Sequence, residues 1–166
     1  MDISLFSNEY TVRCMEKADA ADIYLLCSKN GLYYQYCPPF VTEQSILDDM
    51  KALPPNKEIC DKYYVGYYKG EELIAVMDFI MAYPNEKTAF IGFFMTAASI
   101  QNTGIGSSII DDLCRYLADI RLSSIRLGWV KGNPQAEHFW HKNNFKETGI
   151  TYDTDYYTVV VAQRVL

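Results

Sequence analysis

The chain has 166 residues, 49% of them apolar, and a net charge of −6. That length carries one domain with a real core and is short for two, and the apolar share excludes a disordered chain. The acidic balance argues against nucleic acid, whose phosphates need a basic face, and the longest apolar runs, such as LIAVM and TVVVA, have strand length rather than the length of a membrane span.

In chain order, YTVRCM (10–15) reads as a short strand. KADAADIYLLCSK (17–29) reads as a helix with Ile23, Leu26 and Cys27 inward, and NGLYYQYCPPF (30–40) as a loop punctuated by Gly31 and the Pro38-Pro39 pair. Thr42 caps a second helix, whose Ile46, Leu47 and Met50 share a face and which LPPNKE stops. KYYVGYY runs through the turn KGEE into LIAVMDFIMAY, a hairpin pattern, and after YPNEK the stretch TAFIGFFMT (88–96) reads as a strand covered on both faces. A helix then runs to about Ile120, with Ile105, Ile109, Leu113, Leu117 and Ile120 at helical spacing and Ser108, Asp111, Asp112, Arg115 and Asp119 toward water. SIRLGWV (124–130) is the next strand, NPQAEHFWHKN a short helix with Asn133 as cap and Pro134 in its first position, and FKETGITY and YYTVVVAQRVL are two closing strands. The order β-α-α-β-β-β-α-β-α-β-β predicts a single α/β domain over 1–166, with a mixed, mostly antiparallel sheet of about seven strands flanked by helices.

The N-terminus lacks a basic region followed by an apolar stretch, so no secretory signal is expected. The five cysteines, Cys14, Cys27, Cys37, Cys60 and Cys114, make no CxxC pair. They are expected to be buried, reduced thiols of a cytoplasmic protein, and no metal is expected.

The informative stretch is SIQNTGIGSSII (99–110), where Gly104 and Gly106 sit between a strand and a helix. A helix N-terminus presents unpaired N–H groups and partial positive charge, and glycines let an anion approach them. A left-handed turn with close helix–sheet packing accounts for both glycines equally well. A dinucleotide fingerprint is excluded because position 109 is Ile, and a P-loop because no lysine precedes Ser107.

Gln101-Asn102-Thr103-Gly104-Ile105-Gly106 matches a Q/R-x-x-G-x-G/A signature, and NPQAEHFWHKNNF (133–145) matches Asn-x-x-Ala-x-x-apolar-Tyr-x-x-x-Gly-Phe. With both in order and a strand between them, the chain resembles the GNAT acyltransferase superfamily. The resemblance implies acetyl-CoA as cofactor, its pantetheine arm lying where strands 88–96 and 124–130 splay apart, against Phe94, Met95 and Thr96. It further implies a pyrophosphate held by backbone N–H groups from Gln101 through Asn102, Thr103, Gly104, Ile105 and Gly106 to Ser107. Asn133 is then expected to face the pantetheine, Phe139 and Trp140 to flank the thiol, and Lys142 to reach a phosphate.

The sequence departs from the motif twice. Asn144 replaces a glycine, which a left-handed helix end tolerates. Trp140 replaces the tyrosine that in this superfamily often protonates the departing thiolate, and an indole cannot be that acid. A thiol of pKa ~8.5 leaves tolerably without help.

Acyl transfer to an amine needs a neutral nucleophile, a donor for the oxyanion and a proton acceptor. The Phe94 N–H is the candidate donor. Asp78, a lone carboxylate inside LIAVMDFIMAY, is the candidate base, with an edge-facing or backbone-bonded carboxylate as the equal alternative. His141 is expected exposed, and His138 has less claim still to catalysis. The stretch Tyr33, Tyr34 and Tyr36 lies where acceptor pockets of the superfamily form, and could box an alkylammonium.

The reading is therefore an acetyl-CoA-dependent N-acetyltransferase acting on a primary amine of a small molecule or peptide by direct attack. It is expected in the cytoplasm, without nucleic-acid or membrane partners. A homodimer is open through the apolar strand TVVVA. The alternatives are a non-catalytic acyl-CoA sensor on the same fold and an interaction module that has lost the cofactor.

Overall fold

Runs of β-branched and aromatic residues, separated by glycine- and proline-bearing turns, build one sheet in the computed structural model, which describes residues 1–166. Its strands are β1 (Thr11–Cys14), β2 (Lys62–Lys69), β3 (Glu72–Ile80), β4 (Thr88–Thr96), β5 (Ser124–Val130), β6 (Lys146–Asp153) and β7 (Thr158–Val165). They lie in the order β1-β2-β3-β4-β5-β7-β6, and only β4 and β5 are parallel. The helices are α1 (Ala20–Cys27), α2 (Gly31–Tyr36), α3 (Glu43–Asp49), α4 (Ile105–Asp119) and α5 (Pro134–Lys142).

Both faces of the sheet are covered. On one, Ile23 and Leu26 of α1 and Ile46 of α3 pack with Tyr64, Val76 and Met95. On the other, Ile109, Leu113 and Leu117 of α4 join Met77, Phe79 and Leu127, with Trp140 of α5 in the same core. The caps expected from sequence are in place: Thr42 accepts from the Ser45 N–H (3.0 Å), and Asn133 accepts from the Ala136 N–H (3.1 Å) with Pro134 behind it.

Four expectations change. The stretch 30–40 is not all loop, since residues 31–36 wind into α2. GLYYQY has no apolar stripe of its own, and tertiary packing stabilises the turn: the Tyr33 ring meets Phe93 at 5.9 Å and Tyr34 meets Phe40 at 4.9 Å. Asp112, expected toward water, is only 4% exposed. It accepts from the Asn8 N–H (2.8 Å) and Asn8 Nδ2 (2.9 Å) and pairs with Arg115, which ties the N-terminal segment onto α4. TVVVA lies in β7, which is bonded to β5 on one side and β6 on the other, so it has no free edge for a partner chain. Of the thiols, Cys27 and Cys114 are buried, while Cys14 and Cys60 are exposed.

The feature that positions the site is a bulge. Asp78 opposes Phe93 and Phe79 opposes Ile91, leaving Gly92 as the extra residue of β4. The parallel pairing of β4 with β5 runs from Thr88 to Ile91 and ends there. A bulge bends and twists its strand, so β4 leaves β5 at Gly92.

Candidate active site

Beyond the bulge, β4 and β5 bound a cleft of about 650 Å³. The Ala97 N–H donates to the Ile74 carbonyl at 2.7 Å, on the β3 side. Strand alternation then turns the N–H and C=O groups of Phe94 and Thr96 the other way, into the cleft. Their side chains lie on the α4–α5 side, whereas Phe93 and Met95 pack toward α1 and α3.

At one end of the cleft stands the turn that opens α4. Asn102 (φ 62°) and Gly104 (φ 93°) are both left-handed, and no side chain caps the helix. The N–H groups of Asn102, Gly104, Ile105, Gly106 and Ser107 find no acceptor in the chain, whereas that of Thr103 reaches the Ile100 carbonyl at 3.4 Å. The Gln101 N–H likewise reaches the Ala98 carbonyl at 3.4 Å, so Gln101 and Thr103 are the two members of the expected set whose donors are engaged. The two glycines have different reasons. A Cβ at Gly104 would meet nothing within 4 Å, so the backbone angle is what requires glycine there. A Cβ at Gly106 would lie 3.2 Å from Phe139 Cε2 and 3.4 Å from Thr96 Cγ2, so close packing requires it there.

A polar chain braces this end. Gln135 Nε2 donates to Gln101 Oε1 (3.1 Å), Gln101 Nε2 donates to Asn30 Oδ1, and Asn30 Nδ2 donates to the carbonyls of Leu26 (3.0 Å) and Thr96 (3.3 Å). It joins α5, the α4 turn, the end of α1 and β4. The far wall is aromatic: Phe94 lies 6.0 Å from Phe139 and 6.1 Å from Trp140, and Phe139 and Trp140 lie 4.9 Å apart. Asn144 takes φ 64°, the left-handed exit expected of it, and the Phe145 N–H closes α5 on the Trp140 carbonyl at 3.0 Å.

The model of the acetyltransferase (GNAT) family matches residues 30–145, which is most of the chain. The chain belongs to the GNAT acetyltransferase family. It is an acetyltransferase whose donor is acetyl-CoA. No curated protein has a sequence that matches it significantly. Solved structures agree on the fold. An acetyltransferase from Thermus thermophilus is 15% identical, with TM-score 0.74 over 95% of this chain and 97% of that one. The ribosomal-protein-S18-alanine N-acetyltransferase of Escherichia coli is 12% identical, with TM-score 0.67 over 94% and 93%. The spermidine N-acetyltransferase of Vibrio cholerae in complex with CoA and spermine is 18% identical, with TM-score 0.66 over 96% of each chain.

Within this GNAT fold most of the expected cofactor residues meet. Phe94, Met95 and Thr96, Gln101, Asn102, Gly104, Gly106 and Ser107, and Asn133, Phe139, Trp140 and Lys142 all line the cleft. Ile105 and Thr103 do not line it. The catalytic and acceptor expectations fare differently. Asp78 is not brought to the cleft: its Oδ2 is paired with Lys62 Nζ at 2.8 Å, behind Gly92, where a Cβ would stand 2.6 Å from that oxygen. Its Oδ1 is buried without a partner, and burial holds the carboxyl above its usual range despite Lys62. Of the tyrosines, only Tyr33 lines the cleft; Tyr34 turns into the α1–α3 core and Tyr36 stays outside. His138 lines the cleft and His141 does not, being edge-on to Trp129 at 5.4 Å.

Sequence reasoning missed Cys37 and Tyr157. The Cys37 thiol, just past α2, is in hydrogen-bond contact with the Tyr157 hydroxyl at 3.3 Å across the cleft. Hydrogen bonding to Cys37, then burial, pushes the Tyr157 phenol up to about 12, and burial pushes Tyr33 up as well. Tyr157 sits in the β6–β7 turn among exposed polar residues, and nothing local in TDYYT singles it out.

Proposed function

We propose that this acetyltransferase moves the acetyl group to a primary amine of a small molecule or peptide, by direct attack and in the cytoplasm. The observation that carries it is one juxtaposition: a row of unengaged N–H donors at the α4 turn stands at the end of an open β4 edge. The first suits a pyrophosphate and the second an amide-bearing arm, so the residues present fit acetyl-CoA. When bound, acetyl-CoA supplies the acetyl group as an activated thioester.

The chain's own groups then have distinct tasks. The N–H groups of Asn102 and Gly104 to Ser107 hold the anionic end, and the Phe94 and Thr96 edge aligns the arm. The Phe94 N–H polarises the carbonyl oxygen under attack. Phe94, Phe139 and Trp140 exclude water from the sulfur end and fix its position. Trp140 supplies no acid. Tyr157, protonated across the physiological range, can donate a hydrogen bond to the departing sulfur. A homodimer, where it forms, uses the β6 edge, whose Ile150 and Tyr152 are exposed.

Calorimetric titration with CoA, followed by thiol release from acetyl-CoA over an amine panel, tests the proposal. Tight CoA binding with turnover of at least one amine is expected. CoA binding with no turnover of any amine favours the sensor reading, which Trp140 keeps open, and no CoA binding leaves the interaction module.

A further inference from the structure

The side chains around the cleft carry a chemical message about the acceptor. Its titratable members are Tyr33 and Cys37 from α2 and its end, Tyr157 from the β6–β7 turn, and His138 and Lys142 from α5. None is a carboxylate. The carboxylates of Asp78 and Asp49 lie outside the lining: Asp78 is behind Gly92 and already paired with Lys62 at 2.8 Å, and Asp49, at the end of α3, is within electrostatic reach of Tyr157 and is held above its usual range by burial. The cleft is otherwise lined by apolar and aromatic groups, and the Tyr157 hydroxyl is engaged by Cys37. An ammonium entering it loses hydration and meets no carboxylate in the lining to pair with. The lining also holds no carboxylate to strip its proton.

We infer that the acceptor is a weakly basic amine on an apolar flank, such as an α-amine or an arylamine, and not an alkylammonium or polyamine. The inference rests on the acetyl-transfer reading above. In the step, the neutral nitrogen's lone pair forms the C–N bond. The C–S bond breaks with its electron pair on sulfur. One proton leaves nitrogen for solvent and one arrives on sulfur, giving amide and free thiol. No proton has first to be removed from a charged nitrogen. Solvent populates the reactive form unaided: at pH 7.4 an alkylamine of pKa ~10.4 is neutral in roughly one molecule in a thousand, an α-amine of pKa ~7.8 in about a quarter. The gap is roughly 300-fold, and an arylamine is neutral throughout.

The test uses the full chain with acetyl-CoA, following thiol release with phenylalaninamide, phenethylamine, 4-ethylaniline and spermidine. The first two share a ring and differ in the basicity of the amine. At pH 7.4, kcat/KM for phenylalaninamide should exceed that for phenethylamine on the order of 100-fold. The gap should close by about tenfold per pH unit above the α-amine pKa, so that each profile breaks at its own acceptor's pKa. The 4-ethylaniline arm separates the two sources: turnover there alone names arylamines, and turnover of phenylalaninamide alone names α-amines. Leu32→Glu, which adds a carboxylate at an exposed position on the cleft, should narrow the gap. Spermidine or phenethylamine turning over as fast as phenylalaninamide at pH 7.4 overturns the inference. So does a common break for all acceptors, which marks a base in the chain, His138 being the imidazole at the cleft. If CoA binds by calorimetry and neither weakly basic amine is acetylated, the inference falls while the donor site stands. If CoA does not bind, the acetyl-transfer reading itself falls.

Discussion

Gly104→Ala and Gly106→Ala separate the two reasons for glycine at the α4 turn. At Gly104 an added Cβ meets no atom within 4 Å, so the whole cost in the free protein is backbone strain at φ 93°. An L-residue held there costs about 1–3 kcal/mol. For a domain of this size that is a fall in Tm of roughly 2–4 °C per kcal/mol, so a drop of about 5 °C is expected. At Gly106 the balance differs. Alanine in a helix gains up to about 1 kcal/mol over glycine. Against that, its Cβ lies 3.2 Å from the Phe139 ring, which must shift by a few tenths of an ångström. The net change in stability should be near zero. The effect on CoA should show in both, because each methyl adds bulk at the donor row. Thermal denaturation with and without saturating CoA reads stability and affinity together, since the ligand-induced rise in Tm scales with occupancy. A Gly104→Ala protein as stable as the parent, beside a strongly destabilised Gly106→Ala, would refute the assignment of strain to one and packing to the other.

Lys62 has a side chain only 1% exposed, paired with Asp78 and donating to the Ala52 carbonyl at 2.9 Å. Lys62→Met should therefore destabilise by about 3–5 kcal/mol near neutral pH, by leaving a buried carboxylate alone. Asp78 already titrates above its usual range, and a raised folded pKa means that its ionisation erodes stability as pH rises through it. The deficit in Lys62→Met should thus shrink as pH falls toward the carboxylate range; urea titrations at pH 5 and 7.5 showing a constant or larger acid deficit would contradict this. Trp140→Tyr should keep or modestly raise turnover, whereas Trp140→Ala, at a site 7% exposed, should cost roughly 3–5 kcal/mol and weaken CoA binding. Loss of activity in a stable, CoA-binding Trp140→Tyr protein would mean the indole is more than a wall. Tyr157→Phe should lower kcat while calorimetric CoA affinity holds, and an unchanged kcat removes its hydroxyl from the reaction.

Much of this protein was legible along the chain because the physics there is local. Period-2 and period-3.6 apolar patterns yield the strands and the long helix, and Thr42 and Asn133 announce helix starts by hydrogen bonds that span three residues. The turn that opens α4 was legible for the same reason: Gln101 to Ser107 is contiguous in the chain, and the N–H groups of Ile105, Gly106 and Ser107 are left free by helix geometry alone. What escaped depends on residues far apart in sequence. Gly106 is explained by Phe139, and Asp78 is drawn from the cleft by Lys62, sixteen residues away. Cys37 meets Tyr157 across 120 residues, α2 is held by Phe93, and β7 is enclosed between β5 and β6. A side chain's local pattern states which face it occupies. Which partner waits on that face is set by how the sheet is ordered, and that decided which side chains line the cleft.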